Sequence, residues 1–297
     1  MASLGELQDA IARHAGEGFT RTCIPRLALM RRDRIISTSE SVYAAWLLVV
    51  AQGRVRLMLG PEPLELDAAR YAVTSVDLPL GGDIREASPS HPYLGAALGL
   101  QPELLASVMH DMGAQLLDRP PSAGMAVGSL GSTLLDPLTR LVQLLDHPRD
   151  IAMLAPMIER EILYHLLLGE QAGMLRQLAL SDSRLSRINR AINHIRREYA
   201  APMRVELLAR RAGMSLSSLH RHFKAVTGMS PLQYQKRLRL QEARRRLSAR
   251  QDSAASIAYA VGYESASQFS RDYRRLFGVP PSRDAVDFRD RLLGIEA

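Results

Sequence analysis

Among the 297 residues there is one cysteine, Cys23, so no disulfide can close within the chain and a reducing compartment, the cytoplasm, is expected. Lysine is almost absent: Lys224 and Lys236 are the only two, and arginine carries the remaining basic charge. The longest apolar run, Ala44 to Ala51, is far too short to cross a bilayer, so no membrane partner is expected and the run reads as a buried strand. No basic stretch followed by an apolar one opens the chain, so a signal peptide is not expected. Phosphate loop, GxGxxG after a strand, nucleophile elbow and HExxH are all missing, which removes the common motif-bearing enzyme classes. Between residues 20 and 100 the only histidine is His91, in the turn-like SPSHPY. Metal-binding barrels present two or three histidines and a carboxylate, so neither a metal nor another cofactor is expected.

What is present is a charge asymmetry. Residues 181–297 carry 23 basic and 11 acidic side chains, a net of +12; residues 1–180 carry 15 and 20, a net of −5. A basic half beside an acidic one points to nucleic acid or another anionic surface as the partner of the basic half. The length fits two domains, 1–180 and 181–297, with Ser181-Asp182-Ser183 as both boundary and helix start.

The first half changes texture along its length. Leu4, Leu7 and Ile11 recur at helical spacing. From about Thr22 to Leu100 short apolar runs alternate with turn signals: Gln52-Gly53 like a hairpin turn, Gly60-Pro61-Glu62-Pro63, and Gly81-Gly82-Asp83. That pattern fits a small β-barrel or sandwich. Helices are expected over 104–117, 134–145 and 153–168, with a Pro-, Gly- and Ser-rich loop over 118–132. Ile158, Ile162, Leu163 and Leu166 form a stripe that reads either as a dimerisation face or as a cover for the barrel. The fold class is therefore α+β: a barrel with a helical dimerisation segment, then an all-α domain.

Within the basic half a segment occurs twice. AGMSLSSLHRHFKAVTGMSP, 212–231, and VGYESASQFSRDYRRLFGVPP, 261–281, align at an offset of fifty. Leu219, Arg221, Phe223, Gly228 and Pro231 meet Phe269, Arg271, Tyr273, Gly278 and Pro281. Two copies are too few for a solenoid, so a duplicated helix-turn-helix is the better reading. In the first unit Val205, Leu208, Ala209 and Ala212 make one buried helix face, Gly213 permits the turn, and Ser215 is placed to cap the next helix. There Leu216, Leu219 and Phe223 are expected inward, leaving Ser217, Ser218, His220, Arg221 and Lys224 outward. In the second unit Phe269, Tyr273, Leu276 and Phe277 are inward and Ser267, Gln268, Arg271, Arg274 and Arg275 outward. Small polar residues near the N-terminus with arginines further along suit a helix that reads base edges and holds phosphate, although any surface helix is polar outside. The helix 231–247 joins the units; Leu232, Leu238, Leu240, Ala243 and Leu247 are expected to contact both cores. Its arginines read either as phosphate contacts or as a solvated face.

Residues 184–284, and GYESASQFSRDYRRLFGVPP most closely, resemble the DNA-binding domain of AraC/XylS-type transcriptional regulators. The resemblance implies seven helices in two helix-turn-helix units. It places Ser217, His220 and Arg221 against bases in one major groove of double-stranded DNA and Ser267, Gln268 and Arg271 in the next. Lys224 and Arg275 complete the DNA-contact set. LVVAQGRVRLML, YAVTSVDLPLGGDI and EASPSHPYLGAAL resemble the cupin-like sensing domain of one branch of these regulators, which implies a barrel holding a small-molecule effector. The implied protein is a cytoplasmic homodimeric regulator, an activator if it contacts RNA polymerase, and not an enzyme. Trp46, Tyr71, Asp77 and Glu86 are the candidate effector residues, because an acid beside aromatic rings can orient a small ligand; ordinary core and exposed acids are the competing reading. Cys23, near Arg21 and Arg26, is either a sensing thiolate or an inert thiol. The alternatives are a metal-dependent cupin enzyme tethered to nucleic acid and a sequence-blind architectural DNA binder.

Overall fold

The structure is a computed structural model and describes residues 2–43, 45–59, 62–75, 78–113, 124–179, 183–248 and 253–284. Contacts divide it into two compact units, Met1–Asn189 with Arg221–Gly228, and Arg190–His220 with Met229–Ala297. The turn at Gly60-Pro61, loop residues 118–123, Ser181-Asp182 and most of the helix expected over 282–292 lie outside the described residues.

The first unit opens with α1, Leu4–His14. Ser3 and Glu6 make a reciprocal capping box, and Leu7, Ala10 and Ile11 are buried at the 0, 3, 4 spacing of one helix face. Ten strands follow: β1 Gly18–Arg21, β2 Leu27–Arg32, β3 Ser37–Tyr43, β4 Trp46–Gln52, β5 Arg54–Leu59, β6 Glu62–Asp67, β7 Arg70–Thr74, β8 Leu78–Glu86, β9 Tyr93–Gly99 and β10 Met125–Ser129. They form two antiparallel sheets, ordered β1-β2-β9-β4-β7-β10 and β3-β8-β5-β6.

Three expectations are corrected here: first, Gly81-Gly82-Asp83 is not a turn but lies inside β8, paired with β3 and β5. Gln52-Gly53 is not a hairpin turn: β4 pairs with β7 and β9, β5 with β6 and β8, so the dipeptide is a corner between sheets. Gly53 has φ +82°, and a Cβ there would stand 2.5 Å from the Glu86 carbonyl oxygen, so the corner needs glycine. The supposed loop 118–132 contains β10, whose Met125–Ser129 pair residue by residue with Thr74–Arg70. The Pro-, Gly- and Ser-rich residues around it hid it from a composition reading. Gly128 lies under the Tyr71 ring, where a Cβ would come within 2.5 Å of the phenol.

The helices of this unit are α2 Pro102–Asp111, α3 Ser132–Gln143, α4 Ile151–Leu168 and α5 Ala172–Ala179, with a 3-10 turn at Leu144–Asp146. α2 is assigned as far as Asp111, short of the expected residue 117. On α4 the stripe Ile158, Ile162, Leu163 and Leu166 is buried within the unit. A second stripe faces out: Leu154, Met157, Tyr164 and Leu168 are exposed, with Glu161 half-buried between them. Arg140 on α3 donates to both Glu161 and Asp136.

Among the described residues six helices follow: α6 Arg184–Arg197, α7 Val205–Arg211, α8 Leu216–Thr227, α9 Pro231–Ser248, α10 Ala254–Ala260 and α11 Ala266–Phe277. The core of the second repeat gathers Leu240, Ala243 and Leu247 of α9, Ile257 and Ala258 of α10, Val261 and Tyr263 of the turn, and Phe269 and Tyr273 of α11. The rings of Tyr263, Phe269 and Tyr273 meet edge to face at 5.4 Å.

Candidate nucleic-acid interface and barrel cavity

Each repeat presents a helix start held by serine. In the first, the Ser218 N–H donates to Ser215 Oγ at 3.3 Å. In the second, Ser265 accepts from the Gln268 N–H at 3.4 Å. These contacts satisfy a backbone donor of the first turn. Gly278, at φ +80°, ends α11 in the left-handed conformation.

Behind each start the inward face is closed, with Leu219, Phe223, Phe269 and Tyr273 essentially inaccessible. The outward face carries the expected residues, all exposed: Ser217, His220, Arg221 and Lys224 on α8, and Ser267, Gln268, Arg271 and Arg275 on α11. On α8 they recur at 0, 3, 4 and 7, and on α11 Ser267, Arg271 and Arg275 recur at 0, 4 and 8. Both sets are therefore single polar stripes beginning at a capped N-terminus. Arg221 Nη2 lies 3.4 Å from His222 Nε2, and burial together with that guanidinium lowers the His222 pKa.

Leu216 and Leu232 do not join the cores as expected: they are 41% and 54% exposed. Each stands in the first turn of its helix, before the inward stripe begins.

Arg239, Arg244, Arg245 and Arg246 of α9 are engaged by groups of the protein itself. Arg239 gathers four carbonyls: Nε donates to Tyr199 at 2.7 Å, Nη1 to Gly262 at 2.7 Å, and Nη2 to Ala200 and Ala201 at 3.2 and 3.0 Å. Gln235 Nε2 donates to Tyr199 and Ala201 as well. This caps the chain end of α6 and ties it to the turn of the second repeat. Arg244 donates to Asp284, which also accepts from the Tyr273 hydroxyl at 2.6 Å. Arg245 and Arg246 both bind Glu242.

Hydrogen bonding from Arg245, and then from Arg246, holds the Glu242 carboxyl below its ordinary value against its own desolvation. A depressed carboxylate contributes stability that is complete above the unfolded pKa and is lost as pH falls through the folded one. Unfolding midpoints measured from pH 5 downward should therefore show a Glu242→Gln variant losing less stability than the parent. The difference expected for so exposed a pair is under about 1 kcal/mol.

Sequence reasoning missed one further contact. Asp272, buried on α11 among exposed arginines, meets Lys236 of α9, with Nζ 2.7 Å from Oδ2 but off hydrogen-bond alignment. The signal available was a lone acid in a basic helix opposite one of only two lysines.

In the first unit a cavity of about 70 Å³ lies between the two sheets. Its lining includes Phe19, Met30, Leu48, Leu57, Ile84 and Ala97. The candidate effector residues are not brought together there. Trp46 is half-buried at the start of β4, and Tyr71 is buried in the register row of Val49, Ala96 and Leu29. Glu86 is exposed and paired with Arg54 at 3.2 Å. Asp77 lies outside the described residues. His91 and Cys23 are exposed. Among the described residues there is no group of three or more His, Cys, Asp or Glu placed to hold a metal, and no helix long and apolar enough to cross a membrane.

The family model of the AraC-type transcriptional regulator N-terminus matches residues 23–174, just over half of the chain. The chain belongs to the AraC-type transcriptional regulators. A helix-turn-helix domain model matches residues 208–285, which contain both capped helices. The HTH-type transcriptional activator RhaS of Citrobacter koseri (strain ATCC BAA-895) is 31% identical over 166 residues, covering 55% of this chain and 58% of that protein. RhaS of Pectobacterium carotovorum is 36% identical over 105 residues, covering 35% and 38%. The aligned part is thus about half the length of these curated relatives or less. The solved structure of Vibrio cholerae ToxT shares the fold, with a TM-score of 0.55 at 10% identity over 88% of this chain and 96% of that one. In this AraC-type regulator the helix-turn-helix repeats and the two-sheet domain are therefore parts of one shared architecture.

Proposed function

We propose that this chain is a sequence-specific DNA-binding regulator whose two repeats read two successive major-groove segments of double-stranded DNA. The observation that carries this reading is the pair of capped helices, each closed behind by an aromatic or aliphatic core and each exposing Ser, Gln or His ahead of arginine. Ser217, His220 and Arg221 face one groove and Ser267, Gln268 and Arg271 the other, while Lys224 and Arg275 sit further along each helix, where phosphate is reached. The effector is a small molecule held between the sheets of the N-terminal domain, and it acts by its differential affinity for two arrangements of the protein. Residues 1–180 form the sensing domain and 181–297 the DNA-binding domain. The setting is the cytoplasm; the named RhaS relatives are transcriptional activators, and for this chain activation would proceed through RNA polymerase.

The same reading makes the regulator a homodimer through α4. Leu154, Met157, Glu161, Tyr164 and Leu168 follow the 3, 4, 3, 4 spacing of a coiled-coil seam. Exposed apolar residues in that register fit a second copy of the same helix. Met157→Lys should weaken self-association at least about tenfold by sedimentation equilibrium, on the loss of one buried apolar anchor. An unchanged association constant would remove α4 from the interface.

Selection of bound fragments from genomic DNA at about 0.15 M salt tests the central reading. The expected result is enrichment of two short sequence blocks about one helical turn apart. Retention of all duplexes alike, with a steep salt dependence, would make the chain an architectural binder instead.

A further inference from the structure

The cavity between the sheets has a chemistry of its own, fixed by strand register. In the first sheet Met30 of β2, Gly95 of β9 and Val50 of β4 stand in one row, and Ala28, Ala97 and Leu48 in the row two residues along. Both rows share a face. Glycine and alanine at the centre of that face leave space where larger side chains would meet the opposite sheet, from which Val55, Leu57 and Ile84 project. Phe19, 48% exposed and opposite Met30 in the register, carries the lining to the surface.

Sixteen described residues line this space, and none is an acid, a base, an amide or an aliphatic alcohol. Among the described residues Tyr93 is the single lining side chain with a polar atom. A sugar brings several hydroxyls, each of which needs a partner when it leaves water, and a carboxylate needs a cation. Among the described lining residues there is no cation, and the Tyr93 hydroxyl is the one side-chain partner for a ligand hydroxyl. Apolar contact is the interaction that this surface supplies.

We propose that the cavity takes an uncharged, predominantly apolar small molecule, alkyl or aromatic, and discriminates against sugars and carboxylates. This rests on the reading that the barrel is the effector site, and it names the class of effector. At about 70 Å³ the closed space is smaller than the roughly 150 Å³ apolar cavity known to hold benzene, so a ring of that size uses the open side at Phe19 as well.

The test uses the full-length protein and thermal unfolding with toluene, benzoate or D-glucose. Toluene near saturation should raise the midpoint by about 2 °C or more, by mass action on the folded state, and the other two should not. Ala97→Leu, which fills the space, should abolish the toluene shift. Leu57→Ala, which enlarges it, should increase the shift given by the bulkier p-xylene; this second variant changes the cavity in the opposite sense, should the first not fold. No shift with toluene, an equal shift in Ala97→Leu, or a larger shift with benzoate or glucose would overturn the proposal. A DNA-binding assay with toluene present keeps the two readings apart. A cavity-dependent toluene shift with unchanged DNA affinity would support the ligand class and remove the effector role.

Discussion

Replacing Arg271 with alanine should lower affinity for the selected operator by about 5- to 150-fold, the cost of one base-reading arginine at about 1–3 kcal/mol. Arg221→Ala should do the same in the other block. Arg271 stands in the second turn of α11, exposed, four residues after Ser267 and on the opposite side of the helix from the closed Phe269 and Tyr273 rings. A guanidinium there can bind both acceptors on a guanine edge, which fixes the base as well as the position. Each variant should therefore relax preference in one block and leave the other block intact. Lys224→Ala should differ in kind, weakening all duplexes alike and reducing the salt dependence by about one unit of slope. Binding titrations of all three variants against operators mutated block by block measure this. Wild-type preference in Arg271→Ala would displace α11 from the groove.

The largest loss of stability is expected at the junction of α6, α9 and the second turn. Gly262 has φ +92°, and a Cβ built there would lie 2.1 Å from the Ala200 carbonyl oxygen. That neighbour is backbone, and Arg239 holds it in place through hydrogen bonds to Ala200 and the flanking carbonyls. Gly262→Ala combines a strained φ with an overlap that only backbone movement relieves, and should cost about 3 kcal/mol or more. Arg239→Met keeps the aliphatic stem but removes the guanidinium from four carbonyls. A loss of about 2–4 kcal/mol is expected, since charged hydrogen bonds carry more than neutral ones. The two sites share Ala200, so the double variant should lose less than the sum of the singles. Denaturant unfolding of the three variants reads all of this. Additive losses would show that the junction does not act as one unit.

This junction also explains why the arginines of α9 were ambiguous in sequence. A run such as Arg244-Arg245-Arg246 looks the same whether it faces phosphate or folds back on the protein. Glu242 lies on the same helix, within reach of Arg245 and Arg246, but Asp284 is forty residues from Arg244 and the carbonyls of 199–201 are about as far from Arg239. Those partners come from chain return, which local spacing does not encode. The exposed stripes of α8 and α11 were legible for the opposite reason. Helical periodicity alone separates Leu219 and Phe223 from Arg221 and Lys224, and a serine just before the helix, placed to accept from a first-turn amide, announces the start.

The sequence by itself determined the division into an acidic β-rich half and a basic helical half, the duplicated helix-turn-helix, and which side chains of each second helix face outward. Composition, period and turn chemistry are local properties, and they carry that information. Tertiary structure decided the rest. It turned Gln52-Gly53 into a corner between sheets and put the five residues Met125–Ser129 into β10 through pairing with β7. It sent one apolar stripe of α4 inward and left the other exposed. It also set the cavity lining by stacking Gly95 and Ala97 between longer neighbours, with Trp46 one row beyond Leu48, Tyr71 in the alternate row and Glu86 exposed. Strand neighbours and the two sides of a helix with apolar residues on both are chosen by what packs against them across long sequence separations, so no local pattern specifies them.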